Sequence, residues 1–330
     1  MGRGSGKYGR GGGRRRWYRV PLALFVVAAV VFPLSAAARP RVPAPPPAQV
    51  GAVTAGTLDE VYAAHRANAV EASRMAAAHG DRRRAAVDRA LADPARSLLA
   101  FDGRGSGLVT EVFGDLARAD RIAVLVPGSD TGLDTYDRFR AGASALHRQL
   151  VRQAPAGTRV AVVAWLGYET PGTVSTAVAT TGRAERAAPR LREFVRWLRG
   201  ITGPDSGVSL LCHSYGSVVC ARAAACLAVD DLALIGSPGT GADSAAALRT
   251  RARVWAGLGG DDWVADVPHV SADLFGTTVG LGPDPMAPEF GARVFAAGSG
   301  GHSDYFRPGS PSLANLAWIV LGETSEVSRA

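Results

Sequence analysis

A serine that can act as a nucleophile is the first chemical feature of the chain. Cys212-His213-Ser214-Tyr215-Gly216-Ser217 follows a short apolar run at 208–211 and precedes a helical stretch at 218–227. A sharp turn between a buried strand and a helix lifts a serine hydroxyl clear of the sheet, provided the residues two positions away are small. Gly216 satisfies that demand. Cys212 stands where the G-x-S-x-G pattern has its first glycine, which is a departure toward a slightly larger residue. Serine two residues before glycine recurs at Ser237 and Ser299, so the spacing alone is weak and the surrounding elements single out Ser214. A helix starting just after Ser214 also aims its amide dipoles at developing negative charge.

A serine needs a base, and a base needs an acid that orients it and stabilises its protonated form. His213 adjoins the nucleophile, but its side chain is expected to point away from that of Ser214. Downstream lie only His269 and His302. His302 follows the last strand-like run in Gly300-Gly301-His302-Ser303-Asp304-Tyr305-Phe306, a glycine-flanked loop able to bring an imidazole near the serine. His269 sits within a connecting segment and reads as structural or pocket-lining. Between serine and histidine comes Gly259-Gly260-Asp261-Asp262-Trp263-Val264. Asp262 is the chosen acid, because Asp-Trp-Val resembles the Asp-Pro-Ile/Val turn that often holds one. Asp261 is the alternative, with Asp266 behind it. The order serine, acid, histidine is that of a nucleophile-elbow hydrolase.

An oxyanion hole requires a second amide besides that of the residue after the nucleophile. The stretch Val124-Leu125-Val126-Pro127-Gly128-Ser129-Asp130-Thr131 supplies a strand ending in Pro-Gly, so the amides of Tyr215 and Ser129 are the candidates. Trp165, Tyr168 and Trp263 fall near strand ends and are candidate pocket-lining residues. His65 and His79, in a helical region without a partner motif, read as packing or solvated histidines.

Elements able to position these groups are visible from residue 97 onward. Apolar runs at 97–101, 108–113, 121–126, 160–166, 208–211, 232–235, 253–258 and 292–297 alternate with amphipathic stretches such as 184–198. That alternation predicts a mostly parallel sheet covered on both faces, with the working groups at the carboxyl ends of its strands. Residues 57–96 read as a helical N-terminal segment, 97–322 as the catalytic domain and 323–330 as a tail. Short connections after 236 and 264 leave little room for a large lid.

At 330 residues and 47% hydrophobic, the chain can bury one large core. Its net charge of +8 is local: seven of the 37 basic residues precede residue 20, and without residues 1–38 the balance is 30 basic to 29 acidic. Nucleic-acid binding therefore loses most of its support. Residues 1–38 run from a Gly/Arg-rich basic tract through an apolar segment at 20–37 to Ser35-Ala36-Ala37-Ala38, the order of an export signal cleaved after Ala38. Arg14-Arg15-Arg16-Trp17-Tyr18-Arg19 also resembles the twin-arginine signal, and an uncleaved single-pass anchor is the competing interpretation. Residues 39–56 read as a Pro/Ala-rich extended tether. Cys212, Cys220 and Cys226 read as small buried residues, since their spacing makes neither a complete disulfide framework nor a zinc site, with a disulfide through Cys220 or Cys226 as the alternative.

Taken together these motifs resemble an actinobacterial branch of the α/β-hydrolase superfamily, long catalogued as a domain of unknown function. The resemblance is carried by Val-Pro-Gly-Ser-Asp-Thr at 126–131, Trp-Leu-Gly-Tyr at 165–168 and Cys-His-Ser-Tyr-Gly-Ser at 212–217. Gly-Ser-Pro-Gly at 236–239, Asp-Trp-Val at 262–264, the stretch from Asp284-Pro285 to Arg293, and Gly-His-Ser-Asp-Tyr-Phe at 301–306 add to it. It implies an α/β-hydrolase fold over residues 97–322, with Ser214, Asp262 and His302 as the triad. The function expected is hydrolysis of an ester-type bond through an acyl-enzyme, with a small-molecule acyl ester as partner and no metal or organic cofactor. Secretion is expected, and membrane attachment only if the leader stays uncleaved. The rivals are a catalytically silent binding module of the cell envelope and an acyltransferase using the same triad.

Overall fold

In a computed structural model, residues 1–2, 42–274 and 277–330 are described, and residues 42–330 form one compact unit. The expected export signal, with its apolar segment at 20–37 and its expected cleavage position after Ala38, lies outside the described residues. Among the described residues no helix is long and apolar enough to cross a membrane.

An eight-stranded sheet forms the centre. Its strands are β1 (Ser97–Asp102), β2 (Leu108–Phe113), β3 (Arg121–Val126), β4 (Val160–Leu166), β5 (Gly207–His213), β6 (Asp231–Ile235), β7 (Arg253–Gly257) and, numbered after the hairpin below, the two-residue β10 (Arg293–Val294). They lie in the order β1-β2-β4-β3-β5-β6-β7-β10. Only β2 runs against its neighbours; the ladders from β4 through β10 are parallel. Strands β3, β4 and β6 are apolar almost without interruption, because helices cover both faces of a parallel sheet. Ladders on both sides hold β5 in the middle, the best-anchored place for a residue that must not move.

The helices are α1 (Leu58–Ala78), α2 (Arg82–Leu91), α3 (Tyr136–Gln153), α4 (Gly182–Thr202), α5 (Gly216–Ala223) and α6 (Pro311–Leu321). Residues of α4 and α5 pack into one apolar cluster and residues of α3 and α6 into the other. On α1, Ala69, Ala72 and Ala76 are wholly buried at helical spacing, and their small size lets the helix lie close along β1. Asp81 caps α2 by accepting from the Arg84 amide at 2.9 Å. The helical segment before residue 97 thus packs on the edge of the sheet. Arg84 of α2 also reaches Asp134 at 2.9 Å and the carbonyl of Gly103 at 3.1 Å.

Three expectations are corrected. The Pro/Ala-rich stretch is extended but from residue 42 it belongs to the compact unit: Ala44 packs against the core and the Pro46 carbonyl accepts from Asn68 at 2.7 Å. Its prolines lack amide donors and suit an extended strap held by a few contacts. Cys212 and Cys220 form a disulfide, leaving Cys226 free and exposed. Counting three cysteines hid this, because the strand-to-helix turn brings residues 8 apart within 6.4 Å at Cα. The connection after residue 264 is also longer than expected and carries a hairpin, β8 (Ser271–Leu274) with β9 (Thr277–Gly280).

Candidate active site

Ser214 sits at the end of β5 with φ +54°, left-handed backbone that a non-glycine residue adopts at a cost of about 1–3 kcal/mol. Neither Ser237 nor Ser299 shares it. Its amide donates to the Ile235 carbonyl at 2.9 Å, tying the turn to β6. The elbow is packed against the end of β3. A methyl group on Gly216 would lie 2.6 Å from the Val126 carbonyl oxygen, and one on Gly128 would lie 2.5 Å from Ser214 Cβ. Both glycines are therefore required by close approach rather than by flexibility.

His302 is held from two sides. Its Nδ1 lies 3.0 Å from each Asp262 carboxylate oxygen, and its carbonyl pairs with His213 Nε2 at 2.7 Å. The His213 and His302 rings are 4.6 Å apart, and Trp263 packs against His302 at 4.9 Å. His213 thus does not turn away from the site: it braces the loop that carries His302. Burial lowers the His213 imidazole to about 4, assisted by the neighbouring His302, so at neutral pH its ring is uncharged.

Asp262 is 2% exposed, whereas Asp261 and Asp266 are exposed, which separates the acid candidates. Burial alone would raise the Asp262 carboxyl; hydrogen bonds from His302, Tyr305 and the Val264 amide outweigh it and hold the group below its ordinary value. Tyr305 donates its hydroxyl to Asp262 and accepts from the Gly259 amide at 3.0 Å. Burial, followed by that carboxylate, raises the phenol. Sequence reasoning missed Tyr305 as an Asp262 partner, although it stands three residues after His302 in the quoted tail motif.

The stretch 127–131 is clamped by residues following β4. Tyr168 donates to the Pro127 carbonyl at 2.6 Å, Asp130 bonds through its amide to the Pro171 carbonyl at 3.0 Å, and Thr131 accepts from Thr170 at 2.9 Å. Asp130 takes φ +55° within this clamp. Neither the Ser129 nor the Tyr215 amide is used in a hydrogen bond among the described residues. Ser214 Oγ makes none either, and it lines the same cavity as His302.

Ser214, His302, His213, Ser129 and Trp263 line one cavity of about 990 Å³. A face of α3, including Ala141, Gly142 and Ala145, lines it as well, with Phe306 packed close to Gly142. Trp165 and Tyr168 do not line it. Both are buried, ring on ring at 6.1 Å, in the apolar cluster that also takes in α4 and α5. Among the described residues, none from the β8–β9 hairpin lines it.

A family model described as Alpha/beta hydrolase matches residues 102–272. The chain belongs to the alpha/beta hydrolase family. Its relatives include two uncharacterized proteins of Mycobacterium tuberculosis. Rv2079 is 31% identical over 257 residues, covering 68% of this chain and 38% of the relative. Rv0963c is 29% identical over 227 residues, covering 62% and 85%. The chain thus spans 38% of the length of the first of these relatives. Similar solved structures include an α/β serine hydrolase without lid from Xanthomonas campestris, at 18% identity and a TM-score of 0.43, covering 70% of this chain and 94% of that one. Another is esterase PE8, at 16% identity and 0.42, covering 66% and 99%.

Proposed function

We propose that the chain is a serine hydrolase that cleaves a carboxylic ester through an acyl-enzyme. The supporting observation is Ser214, in left-handed backbone on the wall of a cavity shared with a histidine whose Nδ1 faces a buried aspartate. His302 Nε2 takes the hydroxyl proton as Ser214 Oγ attacks the carbonyl carbon. The carbonyl oxygen, now an anion, is received by the Ser129 and Tyr215 amides. Collapse expels the alcohol, which takes the proton from His302. Water then repeats the attack and releases the acid, restoring Ser214. Asp262 holds the Nδ1 tautomer throughout.

A fluorophosphonate probe with adduct mapping by mass spectrometry tests this. Labelling is expected at Ser214, abolished in Ser214→Ala and His302→Ala, and slowed about 10⁴-fold in Asp262→Asn. A folded chain that stays unlabelled favours the silent binding module, and an adduct on Ser237 or Ser299 moves the nucleophile. Product analysis with an added alcohol separates hydrolysis from acyl transfer.

We also propose export. A disulfide buried in the core fits an oxidising compartment, in keeping with the leader.

A further inference from the structure

The disulfide spans the nucleophile elbow itself. Cys212 lies two residues before Ser214, and Cys220 lies in the second turn of α5, six residues after it. Their attachments are unequal. Cys212 is registered opposite Val126 on β3 and Leu234 on β6, so two ladders fix its backbone. Helix α5 has only eight residues, includes the β-branched pair Val218 and Val219, and has no side-chain cap. Such a segment has little stability of its own and keeps its place through tertiary contacts. The crosslink therefore restrains the helix against the strand. Ser217 Oγ, donating to the Cys212 carbonyl at 3.1 Å, adds one weaker tie across the same turn.

What α5 carries makes this angle chemically important. Tyr215 forms its N-terminal cap, and the Tyr215 amide is one of the two proposed oxyanion donors. Pivoting α5 on β5 would move that amide and the Ser214 hydroxyl together, away from the β3 loop against which Gly128 and Gly216 are packed. Both cysteines are fully buried, so the bond is sheltered from casual reduction. The glycine usual at position 212 could not form it.

We propose that the Cys212–Cys220 disulfide is a positioning element for catalysis, fixing the β5–α5 angle and with it the Ser214 hydroxyl and the Tyr215 amide. The inference rests on the serine-hydrolase reading. Neither cysteine touches reacting atoms, so both are positioning residues. Their effect falls on the chemical step and not on filling of the cavity, whose lining includes neither.

The test uses the full chain. Thiols are first alkylated after denaturation without reductant: one modified thiol, Cys226, is expected, and three overturn the inference. The probe's inactivation rate constant (kinact) and half-saturation concentration (KI) are then measured for wild type and three variants, Cys212→Ala/Cys220→Ala, Cys212→Gly/Cys220→Ala and Cys212→Ala/Cys220→Val. The last refills volume without a crosslink. Loss of the bond is expected to lower kinact by about 10- to 100-fold with KI within about twofold, in protein that circular dichroism shows to be folded. Wild-type kinact in any folded variant lacking the bond, the refilled one included, overturns the inference. If the variants do not fold, wild type reduced by a trialkylphosphine, with three thiols counted, takes their place. Unfolding there too makes the bond a folding element and overturns the positioning role. Wild type that labels nowhere, or on another serine, sinks the serine-hydrolase reading and this inference with it. Labelling at Ser214 that ignores the disulfide sinks only the inference.

Discussion

Asp262 accepts from an imidazole, a phenol and a backbone amide at once, so its carboxylate is held in both position and charge. Removing the phenolic donor alone should leave the carboxylate bound to His302 but less firmly aimed. Tyr305→Phe is expected to lower kinact about tenfold with KI unchanged, an effect of one lost hydrogen bond to a charged group. An unchanged rate constant would mean that Tyr305 only fills space. His213 gives a different signature. Its folded value near 4 lies below the ordinary value of about 6.5, so the unfolded chain takes up that proton first as pH falls. Its contribution to stability is present above pH 6.5 and is lost between about 6.5 and 4, on the order of 1–3 kcal/mol. Urea titrations of wild type and His213→Gln should therefore diverge in slope across that window. Ser214, the Asp261/Asp262 pair and His302 were legible because strand, turn and helix patterns surround them. Choosing Asp262 over Asp261 by geometry needed burial, and Tyr305 needed a contact across the fold, which one sequence does not display.

At the scale of elements, the strands were legible almost to the residue wherever they are apolar throughout: the runs at 108–113, 121–126 and 160–166 coincide with β2, β3 and β4. The run at 292–297 shrank to two paired residues in β10, because an edge position offers one ladder rather than two. The β8–β9 hairpin escaped notice, since Ser271–Leu274 and Thr277–Gly280 lack an apolar run. The segment before residue 97 proved to be an edge cover, and it hides a titratable group. Asp88 on α2 is 1% exposed and one of its oxygens has no hydrogen-bond partner among the described residues. Burial, opposed by Arg84 and reinforced by Asp134 and Asp81, raises the carboxyl to about 7. The folded state therefore favours the proton: the group's stabilising effect is full below its unfolded value of 3.8 and is lost as pH rises to about 7. Asp88→Asn should raise the melting temperature by several degrees at pH 8, on the order of 1–3 kcal/mol, and give no gain near pH 4. A flat difference across that range would remove Asp88 as the cause.

For the whole molecule, the segment from Val42 to Ala330 holds the cavity and every candidate catalytic group. Export with cleavage after Ala38 predicts a mature chain beginning at Arg39, which sequencing of the secreted protein's N-terminus checks. A retained apolar segment at 20–37 would mean anchorage. Cleaved or not, the strap from residue 42 stays with the compact unit, because Asn68 and the core hold it. The domain boundary expected at residue 57 therefore falls earlier: proline-rich composition reports missing amide donors and says nothing about which surface an extended chain lies on.

The chain order of the site has a consequence for biosynthesis. Ser214 leaves the ribosome well before Asp262 and His302, and the loop from 127 to 131 well before all three. A nascent chain can thus hold the proposed nucleophile and the proposed oxyanion amides before the proposed base, His302, has been made. On the proposed reading, a truncated translation product ending before His302 lacks the base, and it is expected to stay unlabelled by a fluorophosphonate probe.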